Sequence, residues 1–179
     1  MSIQNPMQFL EPENRKKILI FLLISVLLIF FIFRSLDLPL KTVAAPSGIV
    51  SFEFAGTPEN SAMILASWDS HADLFAAFGL GFDFLFMVVY ASTISLACLM
   101  TSANYSGWFS RLGIWFGWGV FLAAIMDAIE NISLWTLLTG NISGIWPGLA
   151  AWCATIKFSF ILLGMLYALV GWLLPRKHS

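Results

Sequence analysis

The sequence contains four long apolar segments that carry very few charges, at residues 18–33, 74–101, 112–138 and 148–174. A helix needs about 20 apolar residues to cross the hydrocarbon core of a bilayer. Backbone groups in hydrocarbon must hydrogen-bond to one another, and these segments lack the alternation of apolar and polar residues that is typical of barrel strands. We therefore predict an all-α, integral membrane four-helix bundle.

Composition excludes several other classes of protein. Only 11% of the 179 residues are charged and 59% are hydrophobic, whereas about a quarter of the residues in a soluble domain are charged. This balance excludes a soluble globule, a disordered chain and a nucleic-acid-binding protein. The partner that it predicts is the lipid bilayer.

The loops indicate how the chain is threaded, because Lys and Arg concentrate on the cytoplasmic side of a membrane. With four crossings, one side carries six basic residues: Arg15, Lys16, Lys17, Arg111, Arg176 and Lys177. The other side carries Arg34 and Lys41. We expect both termini to be cytoplasmic, and the first span to be an uncleaved anchor and not a signal peptide.

These signals divide one structural domain into nine parts. The predicted parts are a cytoplasmic segment 1–17, spans 18–35, 73–101, 112–139 and 148–174, an extracytoplasmic cap 36–72, a cytoplasmic loop 102–111, an outer loop 140–147 and a cytoplasmic tail 175–179.

The predicted cap contains a short strand followed by a helix. Residues 49–54 alternate between apolar and polar side chains, which is typical of a strand or extended segment. Thr57 then precedes Pro58, which is the pattern of an N-cap followed by proline at the first helical position. We expect this strand-plus-helix cap to lie over the outer mouth of the bundle, with Trp68, Glu53 and His71 as lid residues. It either only seals the helix ends or closes over a ligand.

Four ionisable residues lie inside the predicted spans, where such residues usually face the interior and mark functional sites. They are Asp83, Asp127, Glu130 and Lys157. At about 1.5 Å of rise per residue, all four lie at a similar depth in the outer half of the bundle. Asn131 shares one helix face with Asp127 and Glu130, because the spacing is i, i+3 and i+4.

These five residues, Asp83, Asp127, Glu130, Asn131 and Lys157, form the candidate ligand- or proton-binding site. Three carboxyls and one ammonium cannot all remain charged in a low-dielectric site, so we expect at least one carboxyl to carry a proton near neutral pH. The favoured hypothesis is a pocket for a small hydrophobic, cationic or lipid ligand. Two alternatives stay open: a non-catalytic accessory subunit of a larger membrane complex, with the charges joining its helices, and a proton-coupled carrier that works as a homo-oligomer.

Other motifs do not indicate an enzyme. The sequence predicts no cofactor and no metal, and the group of His71 with Asp69 or Asp73 is better explained by capping of a helix by Asp69 or Ser70. Cys98 and Cys153 are expected at opposite ends of their spans and therefore unable to form a disulfide. The glycines of segments 78–81 and 113–119 are expected to allow close helix packing.

Three segments resemble an uncharacterised family of small bacterial four-span membrane proteins. They are Ser51-Phe-Glu-Phe-Ala-Gly with the later Trp68, Asp127-Ala-Ile-Glu-Asn131, and Ile156-Lys157-Phe158. The resemblance covers residues from 36 to the end of the sequence. It implies four spans, a bacterial origin and hence a bacterial inner membrane, and it implies no activity.

Overall fold

The computed structural model of the protein describes residues 4–174, and its regular secondary structure in that range is helical. The helices are α1 Pro12–Leu36, α2 Ile49–Glu53, α3 Pro58–Ala66, α4 Ser70–Ser102, α5 Gly107–Leu138 and α6 Trp146–Leu173. The predicted tail 175–179, which includes Arg176 and Lys177, lies outside the described residues, as do residues 1–3.

Four of these helices, α1, α4, α5 and α6, are long and apolar enough to cross a membrane. The predicted all-α class and the four candidate spans are therefore confirmed. Helix α4 begins at Ser70 because Asp69 caps it: the Asp69 Oδ1 atom accepts a hydrogen bond from the backbone N–H of Ala72 at 2.8 Å. This bond confirms the predicted capping by Asp69.

The predicted strand at 49–54 is wrong, because the chain forms the short helix α2 there. Gly48 has a positive φ of 59° and turns the backbone into the helix. The backbone N–H of Ile49 donates to Asp37 Oδ1 at 2.8 Å, so a side chain twelve residues earlier satisfies one of the free N–H groups at the helix N-terminus. The helix buries Phe52 and Glu53 on one side. No strand occurs within residues 4–174, so the cap is wholly helical where it is regular.

The second helix of the cap follows the sequence prediction. The Thr57 Oγ1 atom accepts a hydrogen bond from the backbone N–H of Asn60 at 3.2 Å, and Pro58 occupies the first position of α3. Trp68, just after this helix, is 7% exposed. Its indole Nε1 donates to the Leu40 carbonyl at 2.9 Å, and its ring meets Phe52 edge-on with 5.2 Å between centroids. The Thr57 cap is thus confirmed.

The chain forms two compact units, and the cap belongs to one of them. This cap unit comprises Leu27–Met87 and Met126–Ile156. Its core joins side chains of the cap to side chains of α4, α5 and α6, namely Leu40, Ala45, Phe52, Ala55, Ile64, Trp68, Ala72, Ala76, Leu80, Leu134, Leu137 and Ala150. The cap is therefore held by burial of apolar surface, to which a fully buried side chain such as Phe52 contributes about 1.5–3 kcal/mol.

The other unit is built around close contacts at glycines and contains the N-terminal segment. We call it the N-terminal unit; it comprises the described residues up to Val26, Val88–Ile125 and the described residues from Lys157 onward. A Cβ atom at Gly113 would lie 2.5 Å from the Tyr167 hydroxyl, and one at Gly164 would lie 2.7 Å from Ile94 Cγ2. These contacts confirm the predicted close packing at Gly113, since only glycine lets neighbouring helices approach so closely.

Replacing Gly48 with alanine should destabilise the cap more than the same change at Gly56. Both residues have positive φ, 59° and 71°, which costs an L-residue about 1–2 kcal/mol. A Cβ at Gly48 would also collide with the Asp37 carboxylate that caps α2, whereas the nearest atom to a Cβ at Gly56 is 3.8 Å away. We expect Gly48→Ala to lower the free energy of unfolding by about 2–4 kcal/mol and Gly56→Ala by about 1 kcal/mol.

Equilibrium unfolding in mixed detergent, followed by circular dichroism, measures both variants. Equal losses in the two proteins would show that Asp37 does not fix the start of α2.

Candidate functional site

Two of the predicted site residues form a direct hydrogen bond between helices α4 and α5. The Asn131 Nδ2 atom donates to Asp83 Oδ2 at 2.8 Å. It also donates to the Leu80 carbonyl oxygen at 3.4 Å. A hydrogen bond to a carboxylate is stronger than one between neutral groups. The bond therefore places Asp83 and Asn131 side by side on α4 and α5.

Asp127, Glu130 and Asn131 occupy one buried face of α5. Their exposed fractions are 2%, 0% and 3%, as the i, i+3, i+4 spacing predicts. Burying carboxyl groups is costly unless they are hydrogen-bonded or paired, and both acids have interaction partners within the protein. This face of α5 is thus a buried polar region of the cap unit, in which the side chains have partners.

Lys157 belongs to the N-terminal unit, where it is also buried, at 5% exposed. Its ammonium lies 4.7 Å from the centroid of the Phe158 ring, in the range of a cation–π interaction. Its membership of a five-residue cluster with the three acids stays a prediction.

The three predicted lid residues have different environments. Trp68 and Glu53 are buried, at 7% and 8% exposed. His71 is exposed, and its ring lies 4.6 Å from that of Phe75, centroid to centroid. Trp68 and Glu53 are therefore packed inside the cap, whereas the His71 side chain lies at the protein surface. The role of the three residues as a lid stays a prediction.

A groove of about 280 Å³ lies between α4 and α5 in the cap unit. Its lining residues are Ala77, Leu80, Gly81, Phe84, Asn131, Ile132 and Trp135. Sequence reasoning identified Asn131 but missed the other six. The signal that indicates them is the pair of small residues Ala77 and Gly81, four positions apart and hence on one face of α4.

The glycines at positions 79 and 81 do not support the predicted close packing. A Cβ atom at either position would meet nothing within 4 Å, whereas one at Gly119 would lie 2.5 Å from the Phe160 ring and one at Gly117 would collide with the Asn5 side chain. The prediction is thus confirmed at Gly117 and Gly119 and wrong at Gly79 and Gly81. At Gly81 the missing side chain leaves open the space that forms the groove.

The Asn131 amide is oriented by its own hydrogen bonds. A carboxylate and a carbonyl oxygen can only accept, so the Nδ2 group must point towards Asp83 and Leu80. The Oδ1 atom is then the side of the amide that can accept a bond from another molecule. The groove can therefore hold an apolar group and offer one acceptor to a donor, which is binding chemistry and contains no nucleophile–base pair.

The remaining candidate groups are the two cysteine thiols and the side chains that could ligate a metal ion. Cys98 and Cys153 are both free, buried thiols, and the Cys98 Sγ atom donates to the Gly164 carbonyl at 3.5 Å. Across residues 4–174, no three or more His, Cys, Asp or Glu side chains are grouped so that they could hold a metal ion.

Comparison with known proteins gives no match to a family model, to a curated protein or to a solved structure. The resemblance to a bacterial four-span family stays a prediction, and the function must be inferred from the site itself.

The Asp83–Asn131 bond should appear as a coupling energy in a double-mutant cycle. We expect Asp83→Ala and Asn131→Ala each to destabilise the protein, and the double variant to lose less than the sum by about 1–3 kcal/mol, because either change already breaks the bond. Unfolding in mixed detergent measures all three free energies.

The matched control pairs Asp83→Ala with Thr136→Ala, since Thr136 lies on the same helix and its hydroxyl donates to the Ile132 carbonyl instead. That pair should be additive. Additivity in the Asp83–Asn131 cycle as well would mean that the bond does not join α4 to α5.

Proposed function

We propose that this protein binds a small lipid or other amphiphile in the groove between α4 and α5. The apolar body of the ligand lies against Gly81, and a head group that donates a hydrogen bond contacts Asn131 Oδ1. The observation that carries the proposal is the composition of the groove: apolar side chains surround one oriented amide, whose donor side is already bonded to Asp83. Ligand sites commonly combine an apolar lining with a few placed polar groups.

The route to the groove supports a ligand from the lipid phase. Phe84, Ile132 and Trp135 are 46%, 54% and 50% exposed, and they lie on helices long enough to cross a membrane. Side chains exposed on such helices contact hydrocarbon, so a ligand would enter sideways from the bilayer. The volume of about 280 Å³ is at the small end of ligand sites, which suits the head and upper chain of an amphiphile.

Asp83 acts on this ligand through Asn131. Its carboxylate fixes the direction of the amide, in the way that second partners orient the groups that contact a ligand. A head group that donates a hydrogen bond, such as a hydroxyl or an amine, suits the Oδ1 acceptor. A carboxylate head group would not bind there, because its oxygens and Oδ1 can only accept hydrogen bonds.

Filling the groove should weaken binding, and Gly81→Leu does this without a clash. Gly81 lines the groove and Gly79 does not, yet a Cβ at either position meets open space. We expect Gly81→Leu to weaken binding of a bromine-substituted long-chain alcohol by about tenfold or more and Gly79→Leu to leave it unchanged, since loss of one well-filled contact is worth about 1.4 kcal/mol or more. Quenching by bromine of the Trp135 fluorescence, taken as the difference between each protein and its Trp135→Phe version, measures occupancy.

The head group is tested with probes of the same chain length. The alcohol and the corresponding amine should bind more tightly than the alkane without a head group, and this preference should disappear in Asn131→Leu. Equal quenching by all three probes, and in both glycine variants, would contradict a binding groove.

The burial of Asp127 and Glu130 favours a second candidate function. These acids are 2% and 0% exposed and do not line the groove, which fits charges that hold helices together in a non-catalytic subunit of a larger membrane complex. The experiment above separates the two: quenching that is insensitive to Gly81→Leu favours the subunit.

We also propose a bacterial inner-membrane location with both termini in the cytoplasm. The basis of the orientation is the distribution of basic residues: Arg111 lies in the first turns of α5, next to the connection 103–106, and no Lys or Arg occurs in 139–145.

Single cysteines in the two short connections test this orientation. Asn104 and Asn141 are both exposed and lie between α4 and α5 and between α5 and α6, respectively. In intact cells or spheroplasts, a membrane-impermeant maleimide should label Asn141→Cys and should label Asn104→Cys only after lysis. The parent protein is the control, because its two native thiols are buried. The reverse labelling pattern would place the termini outside.

A further inference from the structure

The N-terminal segment, residues 4–10, folds back into the N-terminal unit, where the sequence predicted only a cytoplasmic extension. Asn5 is 3% exposed and Met7 is 6% exposed. Met7 packs in a small core with Leu96 and Leu99 of α4. The segment keeps its own turn structure, with backbone bonds from Gln8 to Asn5 at 2.9 Å and from Leu10 to Met7 at 3.2 Å.

Space for the Asn5 side chain exists because of Gly117 on α5. A Cβ atom at position 117 would overlap the Asn5 Nδ2 atom and would lie 3.1 Å from the Ser95 hydroxyl oxygen. The segment therefore occupies a cleft between α4 and α5 that a glycine leaves open. The Asn5 side chain is the part of the segment that lies against Gly117.

The polar contacts that Asn5 makes with these helices are long. Its Nδ2 atom donates to the carbonyl oxygens of Ser95 and Gly113 at 3.4 Å each, and its Oδ1 atom accepts from the Ser95 hydroxyl at 3.3 Å. The short bond of this amide is internal to the segment, from the Met7 backbone N–H to Asn5 Oδ1 at 2.8 Å. Hydrogen bonds weaken as they lengthen, and a buried amide with weak bonds retains much of its desolvation cost.

One short bond to α5 lies at the exposed edge of the cleft. The Trp118 Nε1 atom donates to the Gln4 carbonyl at 2.8 Å in an exposed position, where water can replace it. The inserted state thus combines the burial of Met7, against which Leu10 also packs, with polar contacts to the helices that are long or exposed, and the turn bonds of the segment lie within the segment itself.

We propose that residues 4–10 are a detachable plug: the cleft between α4 and α5 in the N-terminal unit exchanges between a state filled by Asn5 and Met7 and an open state. In the open state the cleft presents the Ser95 hydroxyl and the Gly113 carbonyl. The ligand groove lies in the other unit, the cap unit.

Oxidation of Met7 by dilute hydrogen peroxide reports the open state, because sulfoxide forms on an exposed thioether. Peptide mass spectrometry of the full-length protein compares three methionines: Met7, the buried Met87 at 4% exposed, and Met63 of the cap at 59% exposed. With a plug that opens locally, Met7 should oxidise about tenfold or more faster than Met87 and more slowly than Met63.

Two variants should both raise the Met7 rate. Gly117→Ala, which fills the Asn5 space, should raise it to within about threefold of Met63. Asn5→Asp keeps the shape of the side chain and the Oδ1 acceptor of the Met7 N–H, but it puts a carboxylate oxygen in place of the Nδ2 donor beside the Ser95 and Gly113 carbonyls; because a buried charge without donors is costly, it should also raise the Met7 rate to within about threefold of Met63. Gly119→Ala is the matched control, because its Cβ meets the Phe160 ring and not the segment; it should leave Met7 unchanged.

Met87 separates plug release from general unfolding. A rise at Met7 with a constant Met87 rate supports the plug. If Gly117→Ala raises both rates, that variant has unfolded, and Asn5→Asp then decides. A Met7 rate equal to that of Met87 in the parent protein, or a Met7 rate that Asn5→Asp does not raise, would overturn the proposal.

Discussion

Polar groups that lie in an apolar environment must find their partners inside the protein, and this constraint shapes the chain more than any other. It requires helices for the four long apolar segments, and it requires a partner for each buried polar side chain. The bond from Asn131 to Asp83 meets this requirement between α4 and α5. The same bond orients the Asn131 amide beside the groove.

The groove exists because small residues face a gap that larger neighbours surround. Gly81 and Ala77 provide the space, and Phe84, Ile132 and Trp135 form walls that are only half-buried. The proposed ligand would be held by shape and one hydrogen bond, so the proposal places selectivity in the head group. The buried acids Asp127 and Glu130 lie on the same face of α5 as Asn131 and do not line the groove.

The sequence predicts those features that depend on local pattern. Hydropathy predicts the four long helices, Thr57 and Pro58 predict the start of α3, and helical spacing predicts the buried face of Asp127, Glu130 and Asn131. Features decided by distant residues could not be predicted. Residues 49–54 fit a strand by alternation, but Asp37, far back in the chain, caps them as a helix.

Glycines show the same limit. The pattern Phe-Gly-x-Gly occurs at 78–81 and at 116–119, yet one copy borders open space and the other packs tightly against Asn5 and Phe160. The difference lies in the neighbours and not in the motif.

The most direct test of a ligand groove is an experimental density map of the protein in a lipid nanodisc, examined beside Asn131. An amphiphile in the groove predicts elongated non-protein density along Gly81, with its head within hydrogen-bonding distance of Asn131 Oδ1. A groove that is empty or closed by its own side chains in such a map, with lipid ordered equally elsewhere on α4 and α5, would contradict it.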